Sequence, residues 1–569
     1  MGVPTFFRWV SYRYKEILIS QKVFKEDINN LFLDLNCLIH PSCAKKVKES
    51  EKIKQVLIDM VNIINVIKPT DLIFISVDGV APSSKINQQR SRRFRSVKQR
   101  IEIKKLYEKY NVEFLDDWDT NAISPGTMFM EKLSNQIIKT IKYQKKNNEI
   151  WKNVNIIYSN CHIAGEGEHK IKSYLMKNRK EYIRKNKTNI IYGLDSDLIL
   201  LSMSLDIPRL YLFREKIYFD NYHVAMDEFQ YLDIDLLKGF LVNDILKYSN
   251  TNIHFQNVIN DFVFLSFLVG NDFLPTIPSL TIRNKGLDNI IYAYIKVLRI
   301  VNKPLVILPY TFKIDFEFFK KLLHVLANKE HESLYRLHSR CMKSYVPKIN
   351  ISKVKNGRQL TKNEIELQQE IKKRDFIDMS LESNPVNFGK SGYKTRFYSH
   401  YFKFDNKEND YKNKVKDVCL HYIEGLKWNM LYYYNRKVPS WDWCYTYLKT
   451  PFVSDIFKNI LDIEKSDILH SLFPKSSPYK PLNQLLAILP LESSNLLPDV
   501  YSKVMNDEKF EKYYPKEFEI DKLYHKYTWE CKPIIEKIEK NKLLETVKQI
   551  KLNQYDEKIN KNYKTAFLY

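Results

Sequence analysis

A chain of 569 residues that is 44% hydrophobic can bury a large core and more than one domain of ordinary size. Its 91 Lys and Arg against 67 Asp and Glu leave a formal charge of +24, which points to a polyanionic partner, although a composition rich in Lys, Asn and Ile also fits an A/T-rich genome. No membrane span is expected, since no run approaches the roughly 18 uncharged apolar residues one needs, and secretion is not expected, since Met1-Gly2-Val3-Pro4-Thr5-Phe6 has neither a basic nor an apolar signal segment.

In chain order, residues 31–35 form a short apolar run that predicts a strand carrying Asp34 at its end, followed by His40. Residues 53–67 carry apolar positions at three- and four-residue spacing and predict a helix. A second strand, 72–77, runs into Asp78, and a basic helical segment follows it. A helix at 127–143 precedes a third strand at 154–158. The turn Gly165-Glu166-Gly167-Glu168-His169-Lys170 then opens a helix over 168–176, and a fourth strand, 189–194, leads to Asp195 and Asp197. Further on, Gly270-Asn271-Asp272-Phe273-Leu274-Pro275 ends an apolar segment with another acid before a proline stop. Strands alternating with helices predict a mostly parallel α/β sheet with helices on its faces.

Residues 344–392 are polar, charged and weakly periodic, which predicts a linker or an insertion with a surface helix. The expected organisation is therefore a core over 1–343, that polar segment, an aromatic-rich second region over 393–537, and a Lys-rich, partly disordered tail over 538–569. The seven cysteines form no CxxC pair and no Cys/His cluster with zinc spacing, so reduced thiols are expected. Phe6 stands where an N-myristoylation signal has Ser or Thr.

Three of the strands end in acids, and in a parallel sheet those ends lie on one edge. Acids emerging together there form a hard-oxygen cage suited to Mg²⁺ or Mn²⁺. Like charges ~4 Å apart repel by about 4 kcal/mol at an effective dielectric of about 20, so such a cluster needs cations or shifted pKa values. Two metal ions would activate a water and stabilise the leaving oxygen of a phosphodiester. Taken singly, an Asp after a strand commonly caps the next helix. The conjunction of GEGEHK with GLDSDL goes beyond what capping requires. His162 and His169 are expected to be hydrogen-bonded structural residues rather than ligands.

Lys85, Gln89, Arg92 and Arg93 share one face of a helix that begins shortly after Asp78. A lone basic run commonly marks a solvated face or a localisation patch. Next to a metal ligand, the same face is suited to a phosphate, and a terminal monophosphate carries more charge than a diester.

The motifs MGVPTFFRW, LFLDLNCLIH, SVDGVAPSSKINQQRSRRFR, ISPGTMFM, AGEGEHKI, YGLDSDLILL and DFVFLSFLVGNDFLPTIPSL resemble the Xrn family of 5′→3′ exoribonucleases, relatives of the flap-endonuclease-like metal nucleases. The family's second region is recognisable, less closely, in GYKTRFYSHYF, YIEGLKWNMLYYYNRKVPSWDW and PLNQLLAILP. The resemblance implies a PIN/flap-endonuclease-like nuclease core with a mainly helical second region packed on it. It implies that Asp34, Asp78, Glu166, Glu168, Asp195, Asp197 and Asp272 are the catalytic, metal-binding set for two Mg²⁺ ions, with Mn²⁺ able to substitute. Lys85, Gln89, Arg92 and Arg93 would form the 5′-phosphate pocket, narrow enough to exclude capped and triphosphorylated ends. His40 matches a residue that stacks on the terminal base, and a second-region tryptophan closes the stack, with Trp441 the candidate ahead of Trp428 and Trp443.

The implied activity is processive hydrolysis of single-stranded RNA bearing a 5′-monophosphate, such as decapped mRNA, to nucleoside 5′-monophosphates. The expected molecule is a monomer that meets decapping or RNA-decay factors, in the cytoplasm ahead of the nucleus because the zinc knuckle common in nuclear members is missing. Only a short Lys-rich tail follows the second region, which resembles a compact form without the long extension of cytoplasmic members. Residues 444–449 replace a Tyr/Pro/His-rich run of relatives, so docking of the second region is expected to differ in detail. Two other readings compete. A flap-type endonuclease on DNA would need a glycine-rich helix-hairpin-helix after the last acid, where 276–280 offers none, and a non-catalytic RNA-binding scaffold would be expected to lose acids, of which all seven are present.

Overall fold

The structure is a computed structural model that describes residues 5–115, 118–218, 223–308, 312–343, 349, 351, 354–355 and 358–569. The first four residues of the MGVPTFFRW motif and part of the polar 344–392 segment lie outside the described residues. Among those described, no helix is long and apolar enough to cross a membrane.

An eight-stranded sheet organises the chain: β1 (Leu18–Ser20), β2 (Asn30–Asp34), β3 (Leu72–Ser76), β4 (Asn155–Ser159), β5 (Asn189–Tyr192), β6 (Leu210–Tyr218), β7 (His223–Asp233) and β8 (Phe567–Leu568). Their order across the sheet is β1-β7-β6-β5-β2-β3-β4-β8. The five central strands run parallel, while β7, β1 and β8 add antiparallel edges. The four strands expected from the apolar runs are all central strands; the edge strands escaped that reading.

β2 and β3 are buried at every position, and their alternation is between two cores rather than between core and water. Leu31, Leu33, Ile73 and Ile75 pack on one side, beneath helices α1 (Glu49–Ile67) and, beyond α2 (Ser83–Lys109), α3 (Met128–Asn147). Phe32 and Phe74 point to the other side, where α4 (Gly167–Arg184) and α5 (Asp197–Ser204) lie. α3 starts where the sequence places it, because the Thr127 hydroxyl accepts from the Met130 amide.

The second region packs directly on this core. Its central helix α6 (Tyr411–Tyr434) contributes Tyr422, Trp428 and Tyr433 to the same apolar cluster that holds Phe6 and Phe32. Residues Ile377, Met379, Val386 and Phe388 of the polar segment are buried in that cluster too. The expected surface helix is present at Lys362–Arg374, closed by a Thr361/Glu364 capping box. It docks on the far end of α2 through Glu370, which receives Lys109 and Tyr110. α7 (Pro481–Ile488) grips the near part of α2: the Gln484 Oε1 accepts from the Ala81 amide at 2.7 Å, and Arg90 donates to the Ala487 carbonyl at 3.1 Å.

The lysine-rich tail is ordered, contrary to expectation. It forms two short helices, Lys540–Val547 and Gln554–Ile559, and then becomes β8 on the open edge of β4. Its apolar anchors, Leu543, Val547 and Ile559, are sparse enough among lysines to hide in a composition-based reading, but each is buried.

Candidate active site

Each acid is carried to the same place by a different stretch of backbone. Asp34 is the last residue of β2 and lies in register with Ser76 of β3, so Asp78 leaves the sheet two residues beyond it. Tyr192 ends β5, and Asp195 and Asp197 follow at the start of α5. This is the carboxyl edge of the parallel strands, at the point where β5 and β3 diverge on either side of β2. Glu166 precedes the first residue of α4 and Glu168 sits in its first turn.

Two glycines make the α4 entry possible. Gly165 has φ +113°, a conformation that a side chain disfavours. Gly167 presses against the acids: a Cβ there would lie 2.6 Å from Asp34 Oδ1 and 3.4 Å from Asp78 Oδ1. Its amide instead donates to Asp78 Oδ1 at 2.6 Å. The Ser76 hydroxyl holds the Gly167 carbonyl at 2.9 Å, and Asn36 accepts from the Asp78 amide at 2.9 Å. Lys170 ties the loop from behind by donating to the Val77 and Asn160 carbonyls.

Lys85 reaches into the acids themselves. Its ammonium lies between two of the acids, 2.6 Å from Glu166 and 2.7 Å from Asp272. Burial opposes its charge, yet Asp272 and Glu166 hold it well above the usual lysine value. In return Asp272, which burial alone would raise, is held by Lys85 down to about 2. Glu166, although it shares Lys85, is raised, because burial outweighs the ammonium. Burial, with Asp78 and Asp195, pushes Asp34 well above the usual carboxylate range. Burial, with Asp197 and Glu166, does the same to Glu168. Burial, with Asp272 and Asp195, pushes Asp197 to about 7.

Among the described residues, no three His, Cys, Asp or Glu side chains stand as a ready-made metal-binding group. The donor chemistry nonetheless fits a divalent cation: all seven are carboxylates, and the buried Asp34 Oδ1 and Asp197 Oδ1 have no hydrogen-bond partner. His162 is hydrogen-bonded, as expected, whereas the buried His169 Nε2 has no hydrogen-bond partner among the described residues. His162 bridges Glu131 and the Lys561 carbonyl, and His169 stacks on Tyr432 at 4.4 Å.

The remaining basic-face residues lie beside the acids with unmet polar atoms. Gln89 Oε1 and Arg93 Nε are buried without partners, while Arg93 donates from Nη2 to Ser124 at 2.5 Å. Arg92 makes no hydrogen bond or ion pair among the described residues, and its charge helps to lower Asp272. Burial and Arg92 lower Arg93 to about 9, with Asp119 and Asp78 opposing. His40 shares this surround. Its ring is reachable by solvent but recessed in protein, and that recess together with Arg92 and Arg93 lowers it to about 4. At neutral pH it is therefore an uncharged ring.

The structure separates the three tryptophans. Trp428 is fully buried, stacked on Tyr432 at 4.9 Å and on Trp443 at 5.6 Å. Trp443 donates to Glu424 at 2.8 Å. Trp441 makes no ring contact among the described residues; its backbone carbonyl accepts from the Ser83 amide at the start of α2. Sequence reading missed Tyr432, whose hydroxyl donates to Glu166 Oε2 at 2.9 Å, and Gln88, which donates to Asp272 at 3.3 Å. Helical phase alone gives no sign of which α6 tyrosine reaches across to the sheet edge.

Residues 1–216 match the family description "XRN 5′-3′ exonuclease N-terminus", and residues 252–368 and 327–568 match "Xrn1 helical domain". Over 99% of its length the chain is 29% identical to the 5′-3′ exoribonuclease 2 of Arabidopsis thaliana, covering 68% of that protein. It is 27% identical to the 5′-3′ exoribonuclease 1 of Saccharomyces cerevisiae over 96% of the chain and 43% of the relative. With the Homo sapiens 5′-3′ exoribonuclease 1 it shares 30% identity over 96% of the chain and 34% of the relative. Because the two matched segments take in both the sheet that carries the acids and the helical region closing over them, the chain belongs to the XRN 5′–3′ exonuclease family.

Proposed function

We propose that this chain is a 5′→3′ exoribonuclease that hydrolyses single-stranded RNA from a 5′-monophosphate end and releases nucleoside 5′-monophosphates processively. Relatives named 5′-3′ exoribonuclease match nearly its whole length, and the family's nuclease core implies dependence on a divalent cation. The observation that carries the finer reading is the juxtaposition of seven converging carboxylates with Gln89, Arg92 and Arg93, whose polar atoms have no sufficient partner inside the protein.

In this reading Asp34, Asp78, Glu166, Glu168, Asp195, Asp197 and Asp272 hold two divalent ions, Mg²⁺ with Mn²⁺ able to substitute. Such ions supply an activated water and stabilisation of the leaving oxygen. Gln89, Arg92 and Arg93 receive the terminal phosphate, for which guanidinium forks provide directional, charge-assisted hydrogen bonds. Lys85 stands where its ammonium can serve either carboxylates or phosphate, and it exchanges the first for the second when substrate enters. The neutral His40 ring and the half-buried Trp441 indole, which has no aromatic partner among the described residues, are suited to stacking on bases, which tolerates any sequence.

The test is an end-selectivity assay with Mg²⁺ on RNA and DNA strands bearing monophosphate, triphosphate or cap at the 5′ end. Rapid loss of the monophosphorylated RNA alone is expected. Equal cleavage of capped and monophosphorylated RNA would overturn the end-selective reading, and equal cleavage of DNA would overturn RNA specificity.

A further inference from the structure

A second basic group lies beside α2, on a ribbon that the catalytic reading does not use. Residues Lys532–Pro533 pair antiparallel with Ile520–Asp521, placing Lys532 opposite Asp521. The ribbon is fastened to α2 because Arg95 donates to the Cys531 carbonyl at 2.9 Å, and Lys98 donates to the Phe518 carbonyl at 2.8 Å. Three lysines meet here, and two of them are satisfied. Lys449 pairs with Asp521 at 2.6 Å, and Lys537 donates to the Tyr445 carbonyl at 2.9 Å and to the Thr446 carbonyl. Lys532 is half-buried and has no hydrogen-bond or ion-pair partner among the described residues.

A partly buried ammonium beside two other ammoniums is costly to keep unpaired. Burial first, then Lys449 and Lys537, lower the Lys532 pKa to about 8, against the pull of Asp521 and of the active-site Asp272. Arg95, which holds the Cys531 carbonyl, lies one helical turn beyond Arg92 on α2, so Lys532, the next residue of the ribbon, stands beside the basic face that carries Arg92.

We infer that Lys532 is a phosphate-binding residue of the second region, contacting the phosphate of a bound strand outside the pocket formed by Gln89, Arg92 and Arg93. It extends the phosphate track from α2 onto the ribbon, so that the strand is held by both regions of the protein. Two sources offer this chemistry: a phosphodiester of the strand, or the phosphate of a departing nucleoside monophosphate. With no acid paired to it among the described residues, Lys532 suits a ligand that must move on after each step.

This inference rests on RNA being the ligand, and the experiment separates the two claims. Equilibrium binding of a single-stranded 5′-monophosphorylated RNA to the full chain in EDTA is measured against salt for wild type, Lys532→Gln, Lys532→Arg and an exposed control, Lys139→Gln. Each single-strand phosphate contact contributes about 0.7 to the slope of log K against log salt. Lys532→Gln should lower that slope by about this amount and weaken binding severalfold at low salt; Lys532→Arg should restore both, and Lys139→Gln should change neither. Inhibition by nucleoside 5′-monophosphate is the second arm: a weakened inhibitor with an unchanged salt slope assigns Lys532 to product. If Lys532→Gln alters neither slope nor inhibition while wild type binds RNA, the assignment is overturned. If wild type fails to bind RNA at all, the functional reading falls with it.

Discussion

The acidic edge of the sheet and the basic face of α2 lie against each other, yet the chain builds them in different ways. The acids are placed by the backbone that carries them: Asp34 by β2, Asp78 by the exit of β3, Asp195 and Asp197 by the turn into α5, Glu166 and Glu168 by the glycine-flanked start of α4, and Asp272 by the turn in which Asn271 accepts from the Phe273 and Leu274 amides. The basic side chains are long, and those with partners take their final position from distant residues, while Arg92 has none among the described residues. Lys85 is held by Glu166 and Asp272, Arg93 by Ser124, Arg90 by Ala487. The acidic set is thus preorganised by short covalent links to buried strands, while the basic set can exchange partners. An enzyme that must advance along a strand needs that division, with rigid groups where the bond breaks and adaptable ones where phosphates pass.

Rigid placement is tested most severely at Asp197. Asp197→Asn should reduce turnover on the order of 10³-fold with the fold intact by circular dichroism. The same variant probes the cost of gathering the acids. Without divalent cation, Asp197 titrates at about 7 in the folded chain against 3.8 ordinarily. The folded state therefore binds the extra proton, and wild-type stability falls as pH rises through that interval. Asparagine never ionises, so the variant should melt above wild type at neutral pH, with the gap closing as pH falls towards 3.8. A constant gap would mean that Asp197 is not strained by its neighbours.

Gly167→Ala comes next, at about 10²-fold in kcat. The new Cβ would sit 2.6 Å from Asp34 Oδ1, and a short, buried side chain has little room to yield. Alanine favours helix over glycine by roughly 1 kcal/mol, so the α4 entry itself is not weakened. Loss of activity without a matching fall in Tm is the expected signature; full activity would show that the acids are not held as rigidly as the comparison requires.

The same contrast explains what the sequence disclosed. Asp34, Asp78, Asp195 and Asp197 were legible because an apolar run fixes a strand, and an acid directly after it inherits the strand's position. The parallel order of β2 to β5 followed from alternating strand and helix signals. Lys85 was expected in the phosphate pocket from helical phase, its nearness to Asp78 and the family resemblance, none of which sets the partner a long side chain takes in the absence of ligand. β8 is two residues long and pairs with β4 from the far end of the chain, so no local pattern announces it. Tyr432 and Lys532 depend on how the second region docks, and tertiary contact is not written in periodicity.

On the adaptable side, Arg92→Ala should lower the preference for a 5′-monophosphate over a 5′-hydroxyl by about tenfold, the order expected for one charge-assisted hydrogen bond. Its dependence on Mg²⁺ concentration should stay near wild type, because Arg92 touches no acid. A shifted Mg²⁺ dependence with intact end preference would erase the distinction between the two sets.

The smallest effect concerns a hydroxyl by which the second region reaches the acids. Tyr432 donates to Glu166 Oε2 at 2.9 Å, and its ring stacks on Trp428 at 4.9 Å and on His169 at 4.4 Å. Tyr432→Phe keeps both stacks and removes only the donor, which costs about 1 kcal/mol, or roughly fivefold in rate if it acts in the transition state. Glu166 retains Lys85 as its other partner, so collapse of the site is not expected. A fivefold fall in kcat with KM and Tm unchanged would mean that the acidic edge, for all its covalent placement, is tuned from the second region. Tyr432→Leu supplies the contrast, since it loses the stacks as well and should lower Tm. If Tyr432→Phe leaves kcat untouched while Tyr432→Leu lowers only stability, the acids are placed by the first region alone and the second region supports the core without tuning the acidic edge.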